Sequence, residues 1–104
     1  MKQTLVLFVL FAVSIPVHSA SDMEMWGCAP LGERRTLLYV IDRGSRSYVK
    51  IGGQRANARV TTEESVKRWS WGNNAIALST KTSRADYFES GTLKAKFQCK
   101  RVNR

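Results

Sequence analysis

Histidine is all but missing from this chain. The only one, His18, lies in an N-terminal stretch that reads as an export signal, so the mature chain is expected to have none. That excludes Ser-His-Asp and Cys-His catalysis, histidine acid–base chemistry and the usual histidine metal sites. Cysteine occurs twice, at Cys28 and Cys99, too few ligands for a zinc site without histidine. No glycine-rich phosphate loop is present, and Gly52-Gly53 reads only as a turn. There is no Asn-x-Ser/Thr sequon. After residue 20 no apolar run is long enough to span a membrane. No catalytic residues, metal ligands or cofactor are expected.

What is present first is a signal. Met1-Lys2 supplies a positive start, Leu5 to Val13 an uncharged apolar run, Pro16 a break, and Ser19-Ala20 a small-residue exit. The 14 residues from Thr4 to Val17 fall short of the roughly 20 that cross a bilayer. Cleavage is expected after Ala20, which divides the chain into a signal (1–20) and one small domain (21–104). Asp22 and Glu24 stand between the apolar run and Cys28, a poor match to a lipoprotein signal. The expected location is periplasmic or secreted.

A mature chain of 84 residues suits one modest core. A domain this small buries only about 60–65% of its unfolded surface and needs a staple. In an exported chain the two cysteines supply it, so a Cys28–Cys99 bridge is expected.

The residue pattern is β throughout. Apolar, aromatic and β-branched stretches at 25–28, 36–41, 47–51, 56–62, 66–71, 75–80, 85–89 and 93–100 are separated by turn residues. In the last, Leu93, Ala95, Phe97 and Cys99 alternate with Lys94, Lys96, Gln98 and Lys100, the period of a half-buried strand. Cys99 therefore faces the core, as do Cys28 and Trp26 by the same parity. The expected fold is all-β: an antiparallel meander of seven or eight short strands closing into a barrel or compact sandwich. One disulfide joins its first and last strands.

The mature chain carries 16 basic and 8 acidic residues, a formal charge of +8. Lys94, Lys96 and Lys100 form a basic ladder on the outer face of the last strand, and Arg101 carries the charge into the C-terminal tail. Such a row binds polyanions, or guards a sheet edge against pairing with other chains. Trp69-Ser70-Trp71 sets two indoles on one face. They are either core or an open platform, and Lys67 shares their parity where that face opens to solvent. Glu63-Glu64 is the nearest approach to a carboxylate pair, but neighbours on a strand point to opposite faces.

These residues point to an exported, non-enzymatic binding protein. The first expectation is an inhibitor or immunity-type module that holds another exported protein through Tyr48, Trp71 and Tyr87. The alternative is a cationic binder of an anionic envelope polymer, membrane surface or nucleic acid, with nucleic acid the least supported. Its anion-binding residues would be Lys94, Lys96, Lys100 and Arg101.

Overall fold

The computed structural model describes residues 23–102; the expected export signal and Arg104 lie outside them. Among the described residues there are nine strands: β1 (Glu24–Pro30), β2 (Leu38–Asp42), β3 (Tyr48–Ile51), β4 (Gln54–Asn57), β5 (Arg59–Glu63), β6 (Val66–Trp71), β7 (Asn74–Ser79), β8 (Arg84–Glu89) and β9 (Thr92–Arg101). All pairings are antiparallel, in the order β4-β3-β2-β1-β9-β8-β7-β6-β5.

The two ends of that order are consecutive in the chain, with Ala58 alone between β4 and β5. The stretch 54–63 pairs with β3 through its first part and with β6 through its second. The sheet thus curls until its ends meet on one run of chain, giving a nearly closed barrel rather than a sandwich. This accounts for the strand count: the stretch expected as one strand at 56–62 is two, because its hydrogen-bond partner changes at Ala58.

Alternation fills the interior. Trp26 and Cys28 of β1, Leu38 and Val40 of β2, Val49 of β3 and Trp69 of β6 point inward. Ile76 and Leu78 of β7, Ala85 of β8, and Phe97 and Cys99 of β9 complete the core. Each large side chain so buried contributes about 1.5–3 kcal/mol relative to exposure. Trp69 is fully buried, and its indole N–H donates to the Ile41 carbonyl at 3.0 Å, so its one polar atom is satisfied.

Cys28 and Cys99 are bonded, and they sit directly opposite each other where β1 pairs with β9. The bridge joins the first and last strands inside the core. It also marks the protein as one of an oxidising compartment.

The alternation of β9 breaks at one point. A register shift between Tyr87 and Phe88 sets Ala95 opposite Tyr87 but Leu93 opposite Phe88. Leu93 is therefore exposed (44%) rather than buried as expected. A bulge puts an extra residue, here Lys94, into one strand, and everything beyond it changes face.

Tight turns close the hairpins. Ser90-Gly91 links Glu89 to Thr92 in two residues, at φ 51° and 82°. Gly52-Gly53 does the same between β3 and β4, at φ 56° and 89°. Positive φ at both central positions matches the twist of paired strands.

Candidate functional site

One barrel mouth is filled by charge. Lys67, at the start of β6, reaches across the lumen to β1 and β2. Its ammonium lies 2.7 Å from Glu24 Oε1 and 2.6 Å from Asp42 Oδ2. The Trp26 indole donates to Glu24 Oε2 at 2.8 Å. Asp42 Oδ1 accepts from the Gly44 N–H, and Ser47, wholly buried, accepts from the Arg43 N–H and donates to the Gly44 carbonyl. Burial pushes the Glu24 carboxyl up, but hydrogen bonds from Lys67 and Trp26, with the charges of Lys67 and Arg101, more than reverse this and hold it low. Asp42 is likewise pushed up by burial and held low by Lys67, Gly44 and Ser47. Burial pulls the Lys67 ammonium down, yet the two carboxylates hold it above its ordinary value. The cluster is paired and hydrogen-bonded, so it closes this mouth as structure.

Arg101 belongs here rather than to a tail. It is the last residue of β9, and its guanidinium is 3.9 Å from Glu24 Oε2 and 6.0 Å from the Trp26 ring centre. The sequence grouped it with the lysine ladder, but its odd parity turns it toward the inner face, away from Lys100.

The ladder itself is on the surface: Lys94, Lys96 and Lys100 are all exposed. Its role as an edge guard falls away, because β9 pairs with β1 on one side and β8 on the other. The row is also uneven. Lys94 stands at the bulge, Lys96 lies opposite Asp86, and Lys100 lies opposite Gly27.

The three aromatics do not form one surface. Trp71 and Tyr87 come together, their rings nearly parallel (13°) at 6.2 Å between centres. Both are half-buried, with their inner sides on the core. The two tryptophans therefore divide: Trp69 is core, and Trp71, at the far end of β6 from Lys67, reaches the rim. The Tyr87 hydroxyl donates to Glu89 Oε2 at 2.6 Å, and this bond, with burial and the Glu89 charge, pushes the phenol up to about 12. The Ser90 N–H donates to the Asn73 carbonyl at 2.8 Å, tying the β6–β7 and β8–β9 turns beside the stacked pair. Tyr48 stands apart on the outer face of β3, with the Arg55 guanidinium 3.7 Å above its ring.

Glu63 and Glu64 are exposed at the β5–β6 turn, where Glu64 takes φ 56°. Among the described residues no three His, Cys, Asp or Glu side chains cluster as metal ligands, and no helix is long and apolar enough to cross a membrane.

Sequence reasoning missed Tyr39. It points outward between Leu38 and Val40, and its ring lies over Gly27 of the neighbouring strand, where a Cβ would come within 3.2 Å of Tyr39 Cε2. The alternation of buried Leu38 and Val40 was the available signal. Comparison with protein-family models, curated proteins and solved structures finds no match, so the geometry of these surfaces alone carries the functional reading.

Proposed function

We propose that this protein is an exported, non-enzymatic binding module of the inhibitor or immunity type, which holds another exported protein through the rim at Trp71 and Tyr87. The observation that carries this reading is the half-buried Trp71–Tyr87 stack beside two turns joined by the Ser90–Asn73 hydrogen bond. Tryptophan and tyrosine dominate binding energy where their inner sides are already packed. A rim fixed by a barrel, a disulfide and a turn-to-turn bond loses little freedom on association. The test is substitution in the oxidised protein: Trp71→Ala and Tyr87→Ala should each weaken partner binding at least tenfold, about 1.4 kcal/mol. Lys94→Ala should leave it near wild type. The reverse ranking would dismiss the rim as the contact surface.

A second reading, binding of an anionic polymer, is favoured by how the charges are distributed. Glu24 and Asp42 are withdrawn into the mouth with Lys67, while Lys94, Lys96 and Lys100 stay exposed on a strand that needs no edge protection. Steep loss of affinity with added salt is its signature.

A further inference from the structure

The strand register assembles a row that runs across the barrel wall. Lys100 of β9 lies opposite Gly27 of β1, Gly27 opposite Tyr39 of β2, Tyr39 opposite Lys50 of β3, and Lys50 opposite Arg55 of β4. All five share the outer face. With neighbouring strands about 4.8 Å apart, the row spans roughly 19 Å measured along the wall.

Its composition is unusual for a bare surface. Lys50 and Arg55 are like charges in directly opposed positions, an arrangement that destabilises a hairpin unless something anionic offsets it. Arg55 is held by stacking on Tyr48. Among the described residues, Arg34, Arg35, Lys50, Arg55 and Lys100 make no ion pair.

Tyr39 divides this face into two grooves. One runs by Gly27, Thr36, Arg34 and Lys100. The other runs by Arg35, Lys50 and the Gly52-Gly53 turn. Each groove thus has its own cations, and among the described residues Glu33, which lines both, is their only carboxylate. Gly27 allows the central ring to lie close to the wall: the space its side chain would fill is bounded by Tyr39, Val102 and Thr36 at 3.2–3.4 Å. The result is a half-buried ring lying against the wall, with cations to both sides.

We propose that this face binds an extended anionic polysaccharide, its sugar rings packing on Tyr39 and its anionic groups meeting Lys100 and Arg34 on one side and Lys50, Arg55 and Arg35 on the other. The inference rests on the cationic reading above but moves its site: of the lysine ladder only Lys100 is kept, and Lys94 and Lys96 lie outside the row. A linear chain is required because the cations are spread along the row rather than gathered round one point. A polysaccharide is favoured over nucleic acid because the Cys28–Cys99 bridge belongs to an oxidising compartment. It is also favoured because, among the described residues, Tyr39 is the only aromatic in the row and the nearby Tyr48 ring is covered by Arg55, whereas single-strand binders stack successive bases on several open rings.

The experiment measures binding of a sulfated heparin oligosaccharide, and of single-stranded oligothymidine of equal charge, to the oxidised protein across a salt series. The heparin fragment should bind more tightly than the DNA, with affinity falling steeply as salt rises. The Lys50→Glu/Lys100→Glu double variant should abolish binding. Tyr39→Ala should weaken it about tenfold without changing the salt dependence, while Tyr39→Phe keeps it. Lys94→Glu/Lys96→Glu should retain at least a third of wild-type affinity. Circular dichroism and thermal melting of each variant separate lost binding from lost folding. Heparin binding that depends on Lys94 and Lys96 instead would overturn the site while leaving the cationic reading standing. DNA binding equal to or tighter than heparin would overturn the choice of ligand. If neither probe binds, the site and the cationic reading both fall.

Discussion

Lys67 and Asp42 are 25 residues apart in the chain, on strands that do not pair, yet their charged atoms lie 2.6 Å apart across the barrel mouth. Only closure of the sheet brings them together. The contact therefore reports on the whole fold, and removing it should be felt globally. The Lys67 side chain is 16% exposed and its partners about as little. Breaking a buried pair costs about 3–5 kcal/mol, and the partial solvation here reduces that, so Lys67→Met should destabilise by about 2–3 kcal/mol. Urea unfolding of the two proteins measures it.

The same cluster sets a pH profile. Glu24 and Asp42 have lowered pKa values in the folded protein, so their contribution is complete above the ordinary values of 4.5 and 3.8 and is lost as pH falls through the lowered ones. Lys67 is raised, so its contribution is complete below 10.5 and is lost as pH rises through the raised value. Stability should be flat from about pH 5 to about pH 10 as far as this cluster is concerned, and should fall on both sides. In Lys67→Met the acid-side loss should shrink, because the carboxylates lose the partner that holds them low. Melting temperatures across pH for both proteins check this.

The disulfide closes a loop with a sequence separation of 71. In the chain-entropy account a loop of that size contributes roughly 4 kcal/mol by restricting the unfolded chain. The Cys28→Ala/Cys99→Ala variant should lose most of that in urea unfolding. A loss below about 1 kcal/mol would mean that the paired strands hold the ends together without it.

The three tryptophans should behave differently in solution. Trp26 is 7% exposed and Trp69 fully buried, while Trp71 is half-buried at the rim. Acrylamide should quench one component of the fluorescence readily, and Trp71→Phe should remove that component. Quenching that survives in Trp71→Phe would place another indole at the surface.

Tyr87 offers a local probe of the rim. Its phenol is pushed up to about 12, chiefly by donating to Glu89. Spectrophotometric titration should show one tyrosine ionising near that value, and Glu89→Gln should bring it down. If Glu89→Gln leaves the titration unchanged, the bond is absent in solution.

Much of this architecture was readable one strand at a time, because inward and outward positions alternate. Ala95, Phe97 and Cys99 declared the inner face of β9, and Trp26 and Cys28 that of β1, so the place of the bridge inside the core followed from parity, while the bridge itself was expected from two cysteines in an exported chain. Lys67 could be placed on the tryptophan face in the same way. Its partners could not, since Glu24 and Asp42 lie 43 and 25 residues away. The split at Ala58 was hidden because one continuous strand changes neighbours there, and no residue type marks a change of partner. Leu93 was misplaced because a bulge is a property of two paired strands, not of either alone. The row from Lys100 to Arg55 needs four registers at once, whereas the lysine ladder needs only one strand, and so only the ladder stood out in the sequence.

The Trp71–Tyr87 rim is proposed to hold another exported protein. The most direct measurement is a paired capture from the host's own envelope and culture extracts on immobilised, oxidised wild type and Trp71→Ala, eluted by stepped salt and then denaturant. One protein should be retained by wild type through high salt, be released only by denaturant, and be absent from Trp71→Ala. The same protein on both columns, or only polyanions released at moderate salt from both, would contradict the proposal.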